Sequence, residues 1–104
     1  DKDITVGDLH FSGDEKQFFC KEKPLALSPN EMKMLLFLMR GEGKAFSRDE
    51  LLTQIWGYND EVETRVTDET LRRIRSKLSS ADSDVLIETV WGYGYKLRSK
   101  GGDA

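Results

Sequence analysis

The sequence predicts an α+β domain in which a small N-terminal antiparallel sheet is followed by three helices and a C-terminal β-hairpin. Short alternating segments separated by turn residues fill positions 3–27. Two Ser-x-x-Glu signatures, Ser28 with Glu31 and Ser47 with Glu50, each open a run of apolar residues at helical spacing. A third helical stretch, 64–78, is amphipathic and precedes two strand-like segments around Gly92-Tyr93-Gly94. A length of 104 residues suits one domain.

Ile4-Thr5-Val6, Leu9-His10-Phe11 and Gln17-Phe18-Phe19-Cys20 alternate or run apolar, with turn chemistry at Gly7-Asp8 and Ser12-Gly13-Asp14. Residues 24–27 add a brief fourth strand, giving a meander with one buried face. His10 is the only histidine and is expected to face solvent. Cys20 is the only cysteine, so no internal disulfide is possible and it reads as a small strand hydrophobe. With one of each, no metal site is expected.

Ser28 caps the first helix, Pro29 takes its first position and Glu31 closes a capping box. Met32, Leu35, Leu36 and Met39 repeat at helical spacing, widened by Met34, Phe37 and Leu38, so this helix is expected to be buried on most sides and to end at Gly41. Ser47 and Glu50 repeat the signature before Leu51, Leu52, Ile55 and Trp56, and Gly57 closes this short second helix. A polar connection leads to the third.

In that third helix, 64–78, Thr64 is the expected N-cap. At about 100° per residue, Val66, Thr67, Thr70, Leu71, Ile74 and Leu78 share one side. Arg65, Asp68, Glu69, Arg72, Arg73 and Ser76 occupy the other, with Arg75 at its edge. An arginine fork suits phosphates and guanine edges, so this face suggests a nucleic-acid reader. A solvated surface laced with Asp68–Arg72 and Glu69–Arg73 ion pairs is the plainer alternative. Residues 79–84 read as a loop, Val85–Val90 and residues 95–98 as the hairpin strands, and residues 99–104 as a frayed tail after a domain spanning 1–98.

The net charge of −3 argues against a chain that binds nucleic acid over its whole surface. Residues 64–78 nevertheless hold five basic side chains against two acids, a local basic face. No apolar run is long enough to span a bilayer and no signal-peptide pattern opens the chain, so no membrane association is expected. No Gly-rich phosphate loop or nucleophile constellation appears, which argues against an enzyme, and no cofactor is expected.

LSPNEMKMLLFL, SRDELLTQIWG, RVTDETLRRIRSKL and IETVWGYGYKL, in that order, resemble the C-terminal winged helix-turn-helix effector domain of OmpR/PhoB-type response regulators, from about Ile4 to Arg98. The resemblance implies a bacterial, cytoplasmic transcription regulator. Its third helix would enter the major groove of promoter DNA and its wing would touch the minor groove. It implies base contact by Arg73, with Glu69 facing the same groove, and phosphate or bracing roles for Arg65, Arg72 and Arg75. Trp56, Thr89 and Tyr95 match backbone-contact positions. The segment 57–63, with Tyr58, Asn59, Asp60 and Glu61, matches the part such proteins offer to RNA polymerase. Two copies would sit head-to-tail on direct-repeat half-sites, and an N-terminal receiver domain would precede Asp1 in a longer protein. Three departures stand out: Trp91 where arginine is usual at the wing, Glu69 where a small or apolar residue is usual, and Thr70 where histidine is common. They imply weaker, less electrostatic DNA binding, and keep open a module whose main partner is protein.

Overall fold

The computed structural model describes residues 2–57 and 65–100. Strands β1 (Ile4–Val6), β2 (Leu9–Ser12), β3 (Gln17–Cys20) and β4 (Lys23–Leu25) form an antiparallel meander in the order β1-β2-β3-β4. Period-two alternation decides its sidedness: Val6, Leu9, Phe11, Phe18, Cys20 and Leu25 are buried. His10 lies half-exposed beside Thr5, its Nδ1 2.7 Å from the Thr5 hydroxyl.

α1 (Pro29–Arg40) begins with the expected capping box: Ser28 Oγ accepts from the Glu31 N–H, and Glu31 Oε1 accepts from the Ser28 N–H. Glu31 does more than cap. Its side chain is only 5% exposed, and it accepts from Lys77 Nζ at 2.5 Å. Burial pushes its carboxyl up, but Lys77 and the Ser28 amide outweigh that and hold it below the usual carboxylate value. Met34, Leu35, Leu38 and Met39 enter one core with Leu71, Ile74, Val85 and Leu97.

β5 (Ala45–Ser47) was not expected from the sequence, because three residues ending in a helix cap leave no visible alternation. It pairs with β7 (Gly94–Ser99), which pairs with β6 (Val85–Val90), so the hairpin is part of a three-stranded sheet. Gly94 therefore belongs to a strand and not to the expected turn. It sits opposite Ser47, where an added Cβ would lie 2.0 Å from the Phe46 carbonyl oxygen. The turn is made by Gly92 at φ 75°, with the Tyr93 N–H donating to the Val90 carbonyl.

α2 (Arg48–Trp56) carries the second capping box, at Ser47 and Glu50. α3 (Arg65–Ser80) buries Thr67, Thr70, Leu71, Ile74 and Leu78, as its stripe predicts. It runs two residues beyond the expected stop at Leu78. Asp82 takes a left-handed conformation (φ 55°), while the Asp82 and Ser83 N–H groups donate to the Ser79 and Leu78 carbonyls. This helix ending usually uses glycine, and a short acidic residue replaces it here. The expected frayed tail also begins too early. Ser99 is the last residue of β7 and buried, and the Lys100 N–H donates to the Asp84 carbonyl. The expected Thr64 cap lies outside the described residues.

Candidate nucleic-acid interface

Leu71, Ile74 and Leu78 anchor α3 on the core, so the opposite ridge of the helix points to solvent. Arg72 and Arg73 project there, with side chains 68% and 60% exposed, and Arg65 and Ser76 are exposed on the same helix. Glu69 lies between the two arginines. It accepts a close bond from Arg72 Nη2 and lies 3.7 Å from Arg73 Nε. The bond from Arg72, with the nearby charges of Arg73 and Arg65, holds the Glu69 carboxyl below its ordinary value. The same pairing raises Arg72.

Arg75 has a different environment. Its Nε donates to the Ile87 carbonyl and its Nη2 to Thr89 Oγ1, both at 2.9 Å, and its guanidinium sits 5.2 Å from the Tyr95 ring centre. Tyr95 Oη in turn donates to Asp68 Oδ1 at 2.7 Å. Burial first, and then this bond to a carboxylate, raises the Tyr95 hydroxyl above the usual phenol value. Asp68 also takes a two-pronged bond from Arg48, at 3.1 and 2.5 Å. The Asp68–Arg72 pair of the plainer alternative is thus replaced by one that ties α3 to the start of α2. Arg48, Asp68, Tyr95, Arg75 and Thr89 form a chain that fastens both α2 and the wing to α3.

Five of the expected site residues therefore share one helix, Arg65, Glu69, Arg72, Arg73 and Arg75, and Thr89 and Tyr95 join them through Arg75. Arg48 was missed, because nothing in its cap-box position signals a partner twenty residues later. Trp56 is half-buried at the end of α2 and packs against the core. Trp91 stands at the wing tip, 92% exposed, beside half-exposed Tyr93. Tyr58, Asn59, Asp60 and Glu61 lie outside the described residues. No group of metal-ligating side chains occurs among the described residues. No helix among them is long and apolar enough to cross a membrane.

Residues 22–97 match the family model described as "Transcriptional regulatory protein, C terminal". The alkaline phosphatase synthesis transcriptional regulatory protein PhoP of Bacillus subtilis is 36% identical over 95 residues, covering 90% of this chain and 40% of that protein. Among solved structures, the response regulator DrrB of Thermotoga maritima, an OmpR/PhoB homologue, is 32% identical with a TM-score of 0.80, covering 93% of this chain and 44% of that one. The Klebsiella pneumoniae RstA DNA-binding domain, solved in complex with the RstA box, is 28% identical with a TM-score of 0.79, covering 94% and 98%. The chain spans about 40% of the length of the curated relatives it matches.

Proposed function

The chain belongs to the C-terminal domain family of transcriptional regulatory proteins, and from that premise we propose that it binds double-stranded promoter DNA sequence-specifically and controls transcription. The observation that carries this reading is the outward projection of Arg72 and Arg73 from a helix whose other side is sunk in the core. A helix presented this way fits the major groove, where an arginine fork matches guanine O6 and N7. Arg73 makes the base contact, and Arg65 and Arg72 hold phosphates. Arg75 keeps Thr89 and Tyr95 at the groove edge, where they meet the DNA backbone, and Trp56 lends its indole N–H to a phosphate. Trp91 lies against the sugars of the adjacent minor groove in place of a cation. The RstA domain, of the same shape, was solved in complex with the RstA box, which supports DNA binding as the function.

The wider assembly belongs to the same proposal. Two copies bind head-to-tail on direct-repeat half-sites, which limits an otherwise open contact. Tyr58, Asn59, Asp60 and Glu61 are the segment offered to RNA polymerase, the charges of Asp60 and Glu61 suiting a basic partner. In the longer cytoplasmic protein a receiver domain precedes this one.

Selection of bound sites from a random duplex pool, followed by gel-shift competition, tests the function. Arg73→Ala is expected to lower affinity for the selected site by roughly tenfold or more while its circular dichroism stays unchanged. The fully exposed Trp91 favours a second reading, docking onto a partner protein. Partner binding that survives Arg73→Ala but not Trp91→Ala, with no duplex selected, would replace the first reading with the second.

A further inference from the structure

We propose that Glu69 and Arg73 act together as a charge-neutral reader of one G·C base pair, and that Glu69 withholds Arg72 and Arg73 from phosphates elsewhere. This rests on the DNA-binding reading above and adds what decides its specificity.

The arrangement on α3 is what points there. Glu69 is one helical turn before Arg73, half-exposed, and engaged with both Arg72 and Arg73. Its neighbour Asp68 is turned back to Arg48 and Tyr95. Among the described residues of this helix face, Glu69 is thus the carboxylate directed outward. Two exposed cations share one anion, on a chain whose net charge is −3.

On a random duplex, this face must surrender its internal ion pairs to reach phosphates. It must also bring a carboxylate towards a polyanion. Both effects weaken non-specific binding, which depends on cations neutralising phosphates. A G·C pair offers compensation. In the major groove it presents the guanine N7 and O6 acceptors beside the cytosine N4 amino donor. Arg73 donates to the first two and Glu69 accepts from the third, so neither partner of the ion pair is left unmatched. With thymine facing Glu69, the O4 acceptor would oppose a carboxylate, and that repulsion rejects the wrong pair.

The test compares the 104-residue chain with its Glu69→Gln and Glu69→Ala variants, each checked for folding by circular dichroism. All three are taken through selection from a random duplex pool and through titrations against random duplex at several salt concentrations. Wild type is expected to select a fixed G·C pair, contacted by Glu69. Glu69→Gln is expected to move that position towards adenine, whose N6 and N7 suit an amide. Glu69→Ala is expected to bind random duplex more tightly, with a salt slope steeper by about one to two contacts. Its ratio of selected to random affinity should fall roughly tenfold. Unchanged base preference and salt slope in both variants would overturn the inference and leave Glu69 an ordinary surface partner. If wild type selects no sequence at all, the DNA-binding function itself falls and takes this inference with it. If wild type selects sites and the two variants select the same ones, only this inference falls.

Discussion

The two ends of α3 each join a glutamate to basic side chains, and the two clusters behave oppositely. Near the C-terminal end Lys77 reaches Glu31 on α1, a carboxylate sealed into the core edge. Near the N-terminal end Glu69 meets Arg72 and Arg73 in open solvent. Removing one partner of the sealed pair leaves a buried charge short of a bond, which is destabilising. The open pair exchanges its partners for water at little loss. The sealed cluster therefore fixes the helix on the body, while the open one stays free to exchange its bonds for those of a ligand. Arg75 lies between them in sequence and in kind, half-buried and bonded to the wing.

Lys77→Ala should break the contrast most. It is expected to lower unfolding free energy by about 2 kcal/mol, seen as an earlier urea midpoint. Acid sharpens the same difference. The folded Glu31 carboxyl lies below its unfolded value, so its contribution is complete above the unfolded value near pH ~4.3 and disappears as pH falls through the lower folded one. The stability difference between wild type and Lys77→Ala should therefore narrow as pH drops through that window. Arg75→Ala should have a smaller effect, about 1 kcal/mol, and Arg75→Lys should not restore it, because lysine lacks the fork that spans the Ile87 carbonyl and Thr89. A looser wing would appear as faster amide exchange in β6. Glu69→Ala comes last. Its urea midpoint is expected to match wild type at moderate salt, since Debye screening already weakens an exposed pair. A large loss of stability in that variant would erase the distinction between the two ends.

Much of this architecture was legible in local chemistry. Both capping boxes stand where Ser28–Glu31 and Ser47–Glu50 predicted them, because a cap is a contact between residues three apart. The buried stripe of α3 followed from helical period alone. β5 did not, since its strand character comes from pairing with β7 about fifty positions later. Nor did the α3 ending at Asp82, where an acidic residue takes a glycine's place. Within the site, the sequence marked Arg72, Arg73 and Glu69 as outward-facing, and its plainer alternative paired Asp68 with Arg72. Side-chain reach on a helix allows that pair, and the closer fork of Arg48 with the Tyr95 hydroxyl wins it instead.

Residue order by itself determined the three helices, the N-terminal meander and which side of the third helix is apolar, because each depends on neighbours within a turn or two. Only the assembled chain decided which charges are sealed, which are fastened to the wing and which are left to solvent. Glu31 reads as a cap until Lys77, 46 positions later, meets it inside, and Arg75 reads like Arg72 until β6 arrives beside it. A charge's role follows from its dielectric surroundings and its bonding partners, and folding supplies both.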